Sequence, residues 1–244
     1  MAVPTMTPTV VIADPTATST TPAEPTTTPT AITSADEVLT IRTAATDERI
    51  VSLTFDAGAD RGFAEDILDT LRDEGVVATF GMTGRWAEEN PDLVVRMVNE
   101  GHTLINHTES HRSFTGFSTG TTPLTSAERA SELQATEEII RALSGYEMRP
   151  YFRPPYGDYD DTVLADLAAN GYTVNVMWTV DSLGWRGLTA EEITQRVVDG
   201  TVPGAIHLFH VGAQSQDAAA LPAIISELRA LGYSFVTVDE LVGR

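Results

Sequence analysis

From about residue 48 onward the chain alternates short runs of β-branched and aromatic residues with longer stretches in which apolar residues recur every three or four positions. The short runs, at 50–55, 76–82, 102–105, 149–152, 173–178, 205–209 and 234–238, read as strands. The longer stretches, near 63–74, 91–100, 125–144, 160–170, 189–199 and 217–231, read as helices; in the second of them Leu93, Val94, Met97 and Val98 form one apolar stripe and mark a core face. Thr125 ahead of Glu128 fits a capping box, and Gly75, Gly101, Gly145, Gly171, Gly200 and Gly232 stand where helices end. Strand, helix, strand, repeated about seven times, predicts an α/β fold with a parallel sheet, closed into a barrel or spread as a wide doubly wound sheet.

Residues 1–34 break this pattern. They contain twelve threonines and six prolines with almost no charge, too little apolar surface to offset the entropy of ordering. The expectation is a disordered Thr/Pro-rich linker over residues 1–46, then one domain over residues 47–244. Tethers of this composition hold exported domains off a membrane or wall, which predicts an extracellular or wall-tethered protein whose signal or anchor is missing from this sequence. Met1-Ala2-Val3-Pro4 has no basic segment and is not itself a signal peptide.

Charge narrows the partners. The chain has 15 basic and 35 acidic residues, a net charge of −20, and every basic residue is arginine. Such a field repels nucleic acid and anionic membranes and suits a neutral or cationic ligand. No apolar run is long enough to span a bilayer. With no cysteine, a metal must be held by histidine, carboxylate and water. A monomer is expected.

The chemistry-bearing residues fall just beyond the strand ends: Asp56 after the first, His107 and His111 after the third, Arg153 after the fourth, Asp181 after the fifth, His210 after the sixth. In a parallel barrel those ends share one rim, where the chemistry of such folds is located. His107 and His111 are spaced to grip one metal ion if the chain coils into helix there, or are a solvated pair beside a turn. Asp56 reads as a general base or a helix cap. In Arg153-Pro154-Pro155-Tyr156 the prolines stiffen the loop and leave the Tyr156 N–H as a fixed donor for an oxyanion, while Arg153 can pair with Asp56. Alternation along 205–210 puts Ile206, Leu208 and His210 on one face, with His210 at the rim and Leu208 one step deeper as an apolar floor for a methyl group. His207 and His102 read as structural. Trp185 lines a sugar-binding groove or covers the barrel.

Taken in order, Thr54–Gly58, His107–His111, Arg153–Gly157, Asp181–Trp185 and Leu208–His210 resemble the motifs of the polysaccharide deacetylase family, the NodB-homology domains of family 4 carbohydrate esterases. The resemblance covers roughly residues 48–240. It implies a distorted (β/α)7-8 barrel, a divalent metal (zinc foremost, cobalt or nickel as alternatives) and hydrolysis of N-acetyl groups on an aminosugar polymer such as peptidoglycan or a chitin-like glycan. It further implies Asp56 as base, His107 and His111 as metal ligands, Arg153 as partner of the base and His210 as acid. Two positions depart from the family pattern. Ala57 stands where most members have a metal-binding aspartate, and Gly184 where an acid usually orients the histidine. Asp60, Asp56 itself or water are the expected substitutes for the first, and Asp217 for the second. The alternatives are an O-acetyl esterase on acetylated xylan and a glycan-binding module without turnover.

Overall fold

The computed structural model describes residues 37–243. Among them nine strands occur: β1 (Leu39–Ile41), β2 (Ile50–Ala57), β3 (Thr79–Met82), β4 (Thr103–Asn106), β5 (Tyr151–Phe152), β6 (Val174–Val176), β7 (Val180–Asp181), β8 (Ile206–His210) and β9 (Ser234–Phe235). The helices are α1 (Ala64–Glu74), α2 (Gly84–Glu89), α3 (Pro91–Asn99), α4 (Ser126–Ser144), α5 (Asp161–Ala169), α6 (Ala190–Gly200), α7 (Asp217–Ala230) and α8 (Val238–Val242).

Every strand pairing is parallel, in the order β1-β6-β5-β4-β3-β2-β8-β7, with β9 added to the start of β2. β6 and β7 belong to one bent stretch. Its first half pairs with β5 and its second half with β8, so the sheet curls into a distorted barrel that closes through this segment.

The pleat of β2 shows why the strand is buried along its whole length. Val51, Leu53, Phe55 and Ala57 face the helices and join the main core, while Ser52, Thr54 and Asp56 alternate with them and face the barrel axis. A second cluster, including Ile105, Val176 and Ile206, fills the interior below the rim, and Val238 and Leu241 of α8 pack against it at the end where the strands begin. Capping agrees with the local sequence. Thr125 and Glu128 form the capping box of α4, and Gly75 and Gly145 end α1 and α4 in the left-handed conformation.

The Thr/Pro-rich linker expected over residues 1–46 lies outside the described residues as far as residue 36. Other expectations need correction. The 46/47 boundary falls too late, because β1 precedes it in register with β6, the Leu39 N–H donating to Thr173 O and the Met177 N–H to Ile41 O. The strand expected at 234–238 has only two paired residues, because Thr237 opens a capping box and starts α8. The short α2 did not appear in the apolar pattern at all. After β4 the histidine segment runs into a turn, as its sequence reads, and does not coil into helix.

Candidate active site

Strand register gathers residues far apart in the chain. In the parallel pair β2–β8, Asp56 stands opposite His210 and Thr54 opposite Leu208. On the other side Asp56 stands opposite Gly81 of β3. The His107 N–H continues the ladder onto Met82 O, and the Arg153 N–H onto Asn106 O. The ends of β2, β4, β5 and β8 therefore deliver a carboxylate, an imidazole, a guanidinium and a second imidazole to one rim.

Asp56 is the hub. Its Oδ1 accepts from Arg153 Nη1 at 2.8 Å and its Oδ2 lies 3.5 Å from His107 Nε2. Burial alone pushes the Asp56 carboxyl up, but the Arg153 charge and hydrogen bond, with the neighbouring imidazoles, outweigh it and hold the group below its ordinary value. Arg153 is fully buried behind the carboxylate. Its Nε donates to Val176 O and its Nη2 to Met177 O, and the guanidinium lies over the Trp178 ring. Gly81 makes the packing possible, since a Cβ there would stand 2.6 Å from Asp56 Oδ1.

The histidine pair is assembled by a side-chain-closed turn. The Thr108 N–H donates to Asn106 Oδ1 and the His111 N–H to Thr108 Oγ1, with both Thr108 and His111 at positive φ. This places the two rings edge to face with centroids 4.9 Å apart, and His111 against Tyr156 at 4.8 Å. His107 Nδ1 lies 2.8 Å from Arg153 O; facing a carbonyl it carries the proton, which leaves the Nε2 lone pair free. Burial lowers both histidines, His111 to about 4.

A cleft of about 550 Å³ opens over this group. Asp56, His107, His111 and His210 line it together with Tyr156, Trp178, Trp185, Leu208, Asp60 and Asp181. Leu208 is nearly covered at the base, and Trp185 is 47% exposed on the wall. Asp181 organises the loop that carries Trp185, its Oδ1 accepting the Leu183 N–H. Asp60 Oδ1 is taken by the Ala213 N–H, which ties two rim loops together. Asp217 lies behind the cleft, fully buried, with Oδ2 accepting the His210 N–H at 2.7 Å. Its carboxyl occupies the space beside Gly184, where a Cβ would stand 2.5 Å from Asp217 Oδ1. Burial pushes the Asp217 carboxyl up, partly opposed by its hydrogen bonds to the His210 N–H, Ser215 and Ser182. His207 points away from the barrel axis toward Thr201 and Phe209, and His102 accepts from the Ala78 N–H.

The donor set can be tested against a divalent ion. Two imidazoles held neutral, one with its free lone pair turned toward a carboxylate oxygen, are ligands of the right chemistry. Among the described residues no group of three His, Cys, Asp or Glu side chains converges as a metal cage. Ala57 turns its methyl into the helix-side core. The residues present fit a cation held by His107 and His111, its remaining positions left to water or to Asp56.

Sequence reasoning missed Gly81, Trp178 and the loop at 212–215. Gly81 carried a legible signal, a glycine inside a strand where a neighbouring group approaches closely. Trp178 was visible only as a strand residue, and the loop at 212–215 only as a small-residue connection.

Comparison with known proteins agrees with the geometry. The profile described as "Polysaccharide deacetylase" matches residues 43–175. A peptidoglycan-N-acetylglucosamine deacetylase of Bacillus cereus is 36% identical over 194 residues, covering 78% of this chain and 67% of that protein. The crystal structure of the Bc1960 peptidoglycan N-acetylglucosamine deacetylase superposes with a TM-score of 0.76 at 33% identity, covering 84% of this chain and 92% of that one. That of BA3943 from Bacillus anthracis, described as a family 4 carbohydrate esterase pseudoenzyme, gives a TM-score of 0.74 at 29% identity over 84% of this chain and 69% of that one. With half the sequence matched by the profile and a curved parallel sheet shared with solved members, the chain belongs to the polysaccharide deacetylase family, the N-deacetylase hydrolases among family 4 carbohydrate esterases.

Proposed function

We propose that this chain removes N-acetyl groups from aminosugars of peptidoglycan-type glycan strands outside the cell, releasing acetate. The observation that supports the reading is the convergence of Asp56, His107, His111 and His210 on one cleft, with Arg153 buried behind Asp56 and paired to it. A divalent ion on His107 and His111, zinc in the first instance, would supply Lewis acidity and a nucleophilic water near neutral pH. The residues of the chain account for the remaining steps. Asp56, kept ionised by Arg153, takes a proton from the attacking water. The oxygen of that water bonds to the acetyl carbon, and the negative charge that collects on the carbonyl oxygen faces the Tyr156 N–H. Leu208 packs under the methyl. The C–N bond then breaks, His210 gives its proton to the departing nitrogen, and acetate and a free amine leave. Asp217 holds the His210 backbone in the position Gly184 leaves open.

The test is acetate release from N-acetylated glycan strands by protein loaded with zinc or cobalt, alongside Asp56→Asn, His210→Ala and His107→Ala. The proposal requires large losses in all three, with His107→Ala also lowering bound metal. Undiminished turnover by Asp56→Asn would sink it. Ala57 favours one second reading, a glycan-binding module without turnover. That reading predicts glycan binding with no acetate released from any N- or O-acetylated polymer. Faster release from acetylated xylan than from aminosugar polymers would instead identify an O-acetyl esterase.

A further inference from the structure

A single ring exposed on a protein surface ordinarily needs no explanation. Phe117 does, because of what holds it. It is 70% exposed, the most exposed of the large apolar side chains among the described residues. Yet the loop that carries it, between β4 and α4, is heavily fastened. Asp158, itself buried, accepts from Ser113 Oγ at 2.9 Å, from the Ser118 N–H at 2.8 Å and from Ser118 Oγ at 2.6 Å. The Phe117 N–H donates to Thr115 Oγ1 and the Gly116 N–H to Ser113 Oγ. Gly116 is at positive φ, and a Cβ there would stand 2.0 Å from Thr121 O, so only glycine closes the loop in this shape. At the loop's root Phe114 is buried and stacks on Phe152. A segment fixed this firmly, with an apolar ring at its tip, presents that ring to something.

The same carboxylate says what lies next to it. Asp158 follows Tyr156 by two residues, so one side chain fixes both the Phe117 loop and the end of the turn that carries Tyr156 into the cleft. Four aromatic rings among the described residues are exposed: Phe63, Phe117, Tyr156 and Trp185. Three of them stand on loops that follow β4, β5 and β7; Tyr156 and Trp185 line the cleft, and Phe117 stands outside its lining. A pyranose ring has an apolar face of C–H groups that packs on an aromatic ring, and a row of rings matches a row of sugars. Resting on the functional reading above, we infer that Phe117 is a glycan-contacting residue that stacks on a sugar beyond the one being deacetylated, so that the protein prefers long strands.

The experiment compares wild type, Phe117→Ala and Phe117→Tyr on the dimer and the hexamer of N-acetylglucosamine. Acetate release is followed, and hexamer affinity is measured by calorimetry on Asp56→Asn protein with and without Phe117→Ala. Expected for Phe117→Ala is a loss of roughly tenfold in kcat/KM on the hexamer, carried by KM, with the dimer unaffected and Phe117→Tyr near wild type. Hexamer affinity should fall by the same factor. An equal loss on dimer and hexamer, or no loss on either, overturns the inference. Should wild type release no acetate from any glycan, the functional reading fails separately, and the calorimetry still decides. Unchanged affinity without the Phe117 ring, or no hexamer binding at all, then overturns the inference.

Discussion

Replacing Arg153 with methionine separates charge compensation from simple packing. Arg153 and Asp56 form a buried ion pair with a 2.8 Å contact, Arg153 fully covered and Asp56 8% exposed. Removing one partner of such a pair leaves an uncompensated buried charge, which costs about 3–5 kcal/mol. The Val176 and Met177 carbonyls also lose their donor, at roughly 1–3 kcal/mol for each left unsatisfied. A deficit of at least about 4 kcal/mol in unfolding free energy is therefore expected, a large share of the 5–15 kcal/mol typical of a domain. Urea denaturation followed by circular dichroism at pH 7 measures it. The diagnostic step is the second substitution. Asp56→Asn placed on top of Arg153→Met should recover about 2 kcal/mol or more, because the stranded charge is gone, whereas Asp56→Asn alone should destabilise by stranding Arg153. The sign with pH follows. Without Arg153 the burial that already pushes Asp56 up loses its main opponent, so the folded carboxyl titrates above its unfolded value. The deficit of Arg153→Met should then be smallest in acid and grow as pH rises through that raised value. A deficit under about 1 kcal/mol, or a double variant less stable than Arg153→Met, would refute the argument.

Other consequences can be checked with single substitutions. Gly81→Ala puts a methyl 2.6 Å from Asp56 Oδ1 and should lower kcat/KM about a hundredfold while costing only about 1–3 kcal/mol of stability; normal turnover would show that Asp56 tolerates displacement. His207 is buried, held down to about 4, and has Nδ1 without a partner. As pH falls from the unfolded value near 6.5 toward 4, the unfolded chain takes up a proton that the folded one refuses, so stability drops by about 1.4 kcal/mol per pH unit for this residue, and His207→Leu should flatten the curve in that window. His102, lowered by burial, adds in the same direction. Asp217→Asn keeps an acceptor for the His210 N–H and removes a carboxyl that burial disfavours when ionised, so at pH 7 it should hold or raise the unfolding midpoint while lowering kcat and shifting the basic limb of its pH profile; a changed midpoint with an unchanged profile would leave Asp217 a purely structural group.

Much of this site was legible in the sequence because parallel strands impose a shared direction. Once Asp56, His107, Arg153 and His210 were read as residues at or beyond strand ends, one rim had to collect them, and register then set their neighbours. Three things escaped for physical reasons. β1 is three residues long and draws its order from β6, so no local periodicity marked it. The stretch at 174–181 read as one strand and a loop, yet its bend lets it pair with two strands in turn, a property of closure rather than of composition. Spacing alone left the histidine pair on a helix or beside a turn, and the Asn106 and Thr108 side chains decide for the turn by replacing backbone helix bonds there. Asp217 was readable as an acid near the start of a helix; that it fills the space left at Gly184 required coordinates.

Among the described residues, four other than glycine adopt positive φ: Thr108, His111, Tyr156 and Leu183. All four lie after β4, β5 or β7, on the edge that bears the cleft, and each such residue stores on the order of 1–3 kcal/mol. The opposite end, sealed by α8, has none. Cohesion is thus invested at one pole of the barrel and tension at the other, so the reacting edge arrives already shaped and a ligand meets a rigid template. Variants selected only for heat tolerance should accordingly accumulate changes that relax these four joints, and lose turnover as they do.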